Sequence, residues 1–524
     1  MKNKKDLIKS LNIWYLIIFL WVIGCFVFFN WFYRYHFFCQ EQNQLFLWSS
    51  DYLVTYFRKP AWLAVMTGDF LTQFYYYIFA GPVILTLSLL GIGHFMRLDL
   101  DKIGLRKVSF PIAIIVMTIE LVLCFKVEYR LDSVIALLGG CIIFYIVPIS
   151  KYRKFYMWIG VPLSFWLFGY GAFAYTVFAL ITVFRDKGRN ATLIGASTVL
   201  LAILLLLLTK KMYYLDYDKL LSYPGMGQFV SPDFILERDL VVDNEYNWGH
   251  YNKVINVVEE TPAEQRTNEM TFFYNLAQAQ MGVLPDNLLR LRPTDLGTFS
   301  GLGPETPIIV KKNINELYFI LGDMTFTERA AMIGCVSSNN NRNVRMIKRL
   351  AECNIVNCDT TAAMKYIRIL KKTFVYRKWA EDHDISKGKI NDDKLLAKRQ
   401  FVNRTDTIRF NDFSRTIMLE LLNSNVNNTV ALDYLLCSDL LAKDIKSFKS
   451  DYDKYCMATH KERLKPIYQQ ALMIWLAATK SPDSEWNKYI HDKQTLARFA
   501  EYNNQRMSNL FSDTYWYYYD TTKI

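Results

Sequence analysis

The chain has 524 residues, 52% of them hydrophobic, and a formal net charge of +12. That length exceeds one ordinary domain, so at least two structural units are expected. The charge is uneven, with 21 Lys and Arg against 10 Asp and Glu in residues 1–211; a basic excess held in short loops between apolar runs marks membrane orientation and sets nucleic acid aside as a partner.

The first apolar run, 13–33, follows the basic start MKNKKDLIKS. It is long, bulky and aromatic, and no small-residue cleavage site follows it, so it reads as a retained transmembrane helix rather than a signal peptide. An outer loop, 34–73, comes next. Its apolar residues recur near helical spacing, which predicts one or two helices lying along the membrane surface. Glu41, Asp51 and Asp69 are set among them, with a polar run from Gln40 to Gln44.

Further apolar runs cover 74–96, 108–125, 131–149, 155–184 and 191–209. As one helix the run 155–184 would extend about 45 Å, well beyond a hydrocarbon core of about 30 Å. A break at Gly169-Tyr170-Gly171 divides it into spans 155–169 and 171–184. The basic segments Lys151 to Lys154 and Arg185 to Arg189 flank the run, and both reach the cytoplasm only if the chain turns back between them. Charge alone barely separates six spans from seven; span length favours seven. The N-terminus is then inside, and everything beyond the last span is outside the cytoplasm.

Glu120 is the one acid well within a span. An ionisable group there costs about 3 kcal/mol or more unless it is paired or near the interface. Two readings stand: a site inside the bundle that touches substrate, or a carboxylate near the outer end reaching headgroups, Lys126 or Arg130. His36 and His94 lie near span ends, as satisfied interfacial histidines do. Nine cysteines include no CxxC pair, and the six histidines are scattered singly, so neither a metal nor a cofactor is expected. Phosphate-loop, dinucleotide-binding, HExxH and GxSxG motifs are missing as well.

Residues 212–524 lose the long apolar runs and read as amphipathic helices with short loops. Several place large, large and small residues at the spacing of a tetratricopeptide first helix, where the small residue lets two helices approach. Trp248, Tyr251, Asn252 and Ile255 form one such set; Phe273, Leu276, Ala277 and Gln280 a second; Tyr318, Leu321, Gly322 and Thr325 a third. The fullest has Ile347, Leu350, Ala351 and Asn354, followed by Ala363, Ile367 and Leu370 on a second helix. This stretch resembles the tetratricopeptide repeat. The expected fold is all-α: a polytopic transmembrane bundle over 1–211, then a soluble tetratricopeptide-like α-solenoid. The concave face of such a solenoid suits a protein or peptide partner; the alternative is a lid on the membrane part. The aromatic tail Thr514 to Asp520 either anchors at the membrane surface or packs back on the last helices.

Two resemblances add to this reading. A first span, a long outer loop with acids, a Gln-rich stretch and a later aromatic-rich span are similar to membrane glycosyltransferases of the C superfamily, which use lipid-linked sugar donors. That likeness implies a catalytic acid in the first outer loop, Asp51 or Glu41 with Asp69 second. It implies Arg58 and Lys59 at the lipid phosphate, and Gln44 and Glu120 as further substrate contacts. Over its whole length the chain also resembles an uncharacterised family of bacterial membrane proteins that join such a bundle to a repeat domain. The residues carrying this are EQNQLF at Glu41 to Phe46, FLTQFYY at Phe70 to Tyr76, YNLAQAQMG at Tyr274 to Gly282, and the stretch Tyr366 to Ala380. It implies the bacterial cytoplasmic membrane, with membrane lipid and an envelope protein or peptide as partners, and no known activity.

Overall fold

The computed structural model describes residues 2–147, 153–185, 191–213, 223–225, 227–291, 295–300, 308–338, 341–388, 390–403, 414–457 and 465–523. Lys151 and residues 186–190, in the two basic segments around the fifth apolar run, and the end of the fourth run lie outside them. The described residues form helices and turns with no strand among them. Among the described residues three helices are long and apolar enough to cross a membrane: Ile13–Phe32, Ala80–Lys102 and Thr192–Lys211.

The chain divides into two compact units, the first made of Met1–Glu237, Ser338–Val344 and Ile369–Ala380. Its helices are α1 (Lys2–Val27, continued by a π turn over Phe28–Phe32), α2 (Tyr35–Gln42), α3 (Ser50–Leu53) and α4 (Trp62–Thr72). Then follow α5 (Ala80–Lys102), α6 (Ser109–Leu123), α7 (Leu131–Ile146), α8 (Arg153–Phe168), α9 (Gly171–Arg185) and α10 (Ala191–Tyr213). Helix α5 packs on α6 and α7, α7 on α8 and α9, and α10 on α8 and α9. On α10, Leu200, Ile203, Leu204, Leu207 and Leu208 are all exposed. A continuous apolar face of that kind fits lipid rather than water.

One element differs from the sequence expectation. The run expected from Phe74 begins as a 3-10 turn over Gln73–Tyr76 and becomes α-helical only at Ala80, because Tyr77 is extended. The outer loop forms the helices α2, α3 and α4, and Phe37, Phe38, Phe46, Ala64, Val65 and Asp69 are buried within the unit. Helix α4 packs on α7, and Gly68 explains how. A Cβ at Gly68 would lie 2.6 Å from the Cα of Asp132, so only glycine permits this approach. Between α8 and α9 the chain turns at Gly169, whose φ of +57° belongs to the left-handed region.

The second unit is Arg238–Ser337, Arg345–Arg368 and Glu381–Ile524. Its centre is the helix Thr429–Leu441, in which every residue from Ala431 to Leu441 is buried. That helix packs on Ser414–Ser424 and Ile445–Asp451, its neighbours in sequence, and also on Asn268–Gln280, Leu296–Ser300 and Ile308–Leu321. In a one-dimensional stack each repeat touches only the next; here one helix gathers contacts from distant stretches. Of the residues singled out for repeat packing, Leu350, Ala351, Ala363 and Ile367 are buried, whereas Asn252 and Thr325 are exposed. The aromatic tail packs inward: the Tyr515 hydroxyl donates to the Leu440 carbonyl at 2.8 Å, and the Trp516 indole N–H to the Gln470 carbonyl at 2.9 Å. No disulfide joins any of the nine cysteines; Cys353 is buried and Cys358 exposed.

Candidate functional site

The first unit buries a polar centre around Asp69, which is 4% exposed. Helix α4 carries Asp69, and the Gly68 contact sets it beside the start of α7. There Arg130, the residue preceding α7, forms an ion pair with Asp69 Oδ1. The second carboxylate oxygen accepts from the Tyr56 hydroxyl at 2.8 Å. Tyr52 and Tyr56, four residues apart and on one face of the turn, bring their hydroxyl oxygens within 3.1 Å. Tyr52 donates to the Leu45 carbonyl, and Gln44 Nε2 to the Asp69 carbonyl at 3.1 Å.

Burial, with the Asp69 carboxylate close by, pushes the Tyr52 phenol up to about 12 and Tyr56 higher still. Both are therefore neutral hydrogen-bonding groups at ordinary pH. Burial alone would lower Arg130, but Asp69 and Asp132 beside it outweigh that and raise it, so its guanidinium stays charged.

A late segment of sequence completes the centre. Val344 N–H donates to the Gln44 carbonyl at 2.9 Å, and Asn343 Nδ2 to Asn43 Oδ1 at 3.0 Å. These bonds hold Arg342 with Nη1 2.7 Å from the Tyr52 hydroxyl and Nη2 3.4 Å from Thr55 Oγ1. Its guanidinium carbon lies 4.2 Å from the centre of the Tyr52 ring.

The structure brings Asp69 and Gln44 together in this centre. Glu41 is buried on its own element, α2, and accepts from the Tyr376 hydroxyl at 3.0 Å. Asp51, Arg58 and Lys59 are exposed on the turns that carry Tyr52 and Tyr56. Glu120 reaches neither expected cation: Arg130 is held by Asp69, and Lys126 donates to Gln228 Oε1 at 2.5 Å. It accepts instead from the Tyr129 hydroxyl at 2.7 Å, and Tyr129 lies 3.1 Å from the Tyr170 hydroxyl.

Sequence reasoning missed Tyr52, Tyr56 and Arg342, and gave Arg130 a different partner, Glu120. The i, i+4 spacing of the two tyrosines was an available signal. Arg342 had none, because it is 290 residues from Tyr52.

Chemically the centre holds two guanidinium groups and the carboxylate of Asp69, whose oxygens are both engaged, with Asp132 also beside Arg130. Asp69 is thereby a fixed counter-charge, poorly placed to take a proton from an approaching acceptor. No group of three or more metal-ligating side chains occurs among the described residues.

Comparisons with curated proteins and with solved structures gave no match. The sequence profile of one family does match, over residues 9–522, and the chain belongs to it: the family of unknown function DUF6057.

Proposed function

We propose that this protein is a multi-pass protein of the bacterial cytoplasmic membrane, with seven spans, an internal N-terminus and an extracytoplasmic helical-repeat domain that binds a protein or peptide. Three helices of spanning length support a membrane seat, and the shorter apolar helices Ser109–Leu123, Leu131–Ile146, Phe155–Phe168 and Gly171–Arg185 are the further spans of this reading. At about 23 Å each, they need flanking residues or local thinning of the bilayer to cross. The observation that carries the binding role is that the second unit builds its own hydrophobic core around Thr429–Leu441. Crosslinking of the full-length protein in cells should recover the same envelope protein or peptide repeatedly; no recurrent partner would contradict the reading.

One observation favours a second reading, an enzyme of the C-superfamily type acting on a polyprenyl-phosphate-linked substrate such as a lipid-linked sugar. Asp51 is an exposed acid on the turn that holds Tyr52, itself in contact with Arg342. In this reading Asp51 is the acid that meets the acceptor, Glu41 and Asp69 orient the loop, and Arg58 and Lys59 approach the phosphate. Asp51→Asn should then abolish complementation of a deletion strain at unchanged protein level. Full complementation would remove Asp51 from catalysis.

A further inference from the structure

Most buried or half-buried cations in a folded protein face an acid, because an uncompensated charge away from water is costly. Arg342 does not. Its guanidinium is half-buried on the Tyr52 ring, with the Tyr56 ring centre 5.9 Å away. Its hydrogen-bond acceptors are the neutral oxygens of Tyr52 and Thr55. Among the described residues no carboxylate reaches it, and Asp69, the acid of the same polar centre, is already engaged by Arg130 and Tyr56.

The segment that delivers Arg342 is pinned by two hydrogen bonds to Asn43 and Gln44. The charge is thus fixed in place rather than floating on a surface chain. Next to it, on the same turns as Tyr52 and Thr55, Val54 is 53% and Phe57 47% exposed. The Phe57 ring lies 4.5 Å from that of Trp62. Arg58 and Lys59, both exposed, follow directly. A fixed fork of donors beside further cations suits a phosphate, and an exposed apolar shelf suits a hydrocarbon chain.

We propose that Arg342 is the anchor of a phosphate-binding site in the first unit, and that the phosphate belongs to a lipid whose chain lies along Val54 and Phe57. The site rests on the lipid-phosphate reading above, yet it concerns binding alone. Loss of turnover in Asp51 variants and loss of binding in Arg342 variants are therefore separate outcomes.

The test uses the full-length protein in detergent, titrated with a polyprenyl monophosphate, the matching uncharged polyprenol, inorganic phosphate and an acidic peptide. The wild type should bind the monophosphate at least about tenfold more tightly than the alcohol, as expected for a charge-assisted pair. Arg342→Gln should abolish that preference, and Arg342→Lys should keep part of it. Inorganic phosphate binding as tightly as the lipid would overturn the lipid part of the proposal and leave only the anion site. Equal affinity for monophosphate and alcohol, an unchanged preference in Arg342→Gln, or a preference for the acidic peptide over both phosphates would overturn the proposal. Should Arg342→Gln fail to fold, arginine modification of the wild type by hydroxyphenylglyoxal, read by mass spectrometry, decides the same question. Protection of Arg342 by the monophosphate but not the polyprenol supports the site, and equal modification overturns it.

Discussion

The two units bury arginine in opposite ways. In the second, Arg345 donates to Asp243 at 2.8 Å and Glu316 at 3.0 Å, while Arg349 donates to Glu316 at 2.6 Å and pairs with Glu352 at 2.8 Å. Burial opposes ionisation of Glu316, but Arg349 and Arg345 outweigh it and hold that carboxyl below its ordinary value. Both guanidinium groups meet acids of their own unit, and the network closes on itself. In the first unit Arg130 has an acid and Arg342 has only neutral oxygens. A closed network is a means of holding helices together, whereas an open cation is a means of receiving something.

The contrast breaks most easily at Glu316. Removing its charge leaves Arg345 with Asp243 alone and Arg349 with Glu352 alone, so Glu316→Gln should destabilise the protein by about 3–5 kcal/mol. Thermal unfolding in detergent, followed by circular dichroism, measures this, and an unchanged midpoint would show the network to be weak. Asp69→Asn breaks the ion pair of Arg130, which keeps Asp132 nearby and some solvent contact, and should cost about 3 kcal/mol. The double variant Asp69→Asn, Arg130→Gln should recover part of that loss; simple additivity would mean the two do not interact.

Gly68→Ala sharpens the packing side of the contrast. The added Cβ meets backbone atoms of Asp132, so the loss should be about 1–3 kcal/mol, read by the same unfolding assay. No loss would mean that α4 is not held tightly against α7.

The smallest expected effect is a pH dependence in the second unit. Burial, with Arg349 nearby, pushes Lys398 down from 10.5 to about 8. Below pH 8 the amine is charged in both folded and unfolded chains, and its burial cost is constant. Between pH 8 and 10.5 the unfolded chain holds a proton that the folded one has lost, so stability should rise with pH across that window. In Lys398→Met the rise should shrink, as denaturant midpoints at about pH 8 and about pH 10 would reveal. An identical rise in the variant would assign it to other groups.

What the sequence made legible followed from periodicity and span length. The apolar stretches 13–33 and 191–209 and the helical character of the chain beyond 212 are carried by runs of neighbouring residues, which local reading detects. The polar centre was only half legible. Asp69 and Gln44 stood out as polar residues in an apolar loop, but Arg130 looked like an ordinary interfacial cation flanking a span. Arg342 arrives from a segment that local reasoning assigned elsewhere. The depth of the outer loop was hidden for a related reason: it depends on one glycine meeting one backbone position on another helix. The complete burial of the central helix Thr429–Leu441 was equally opaque, since it comes from helices far away in sequence.

Central to the proposed function is a first unit seated in the membrane and a second facing away from the cytoplasm. Cys358, exposed in the second unit and free, reports this directly. A maleimide that cannot cross membranes, applied to intact spheroplasts, should label Cys358 in the full-length wild type and leave a Cys358→Ser variant unlabelled at that position. Labelling of Cys358 only after the membrane is permeabilised would contradict that arrangement.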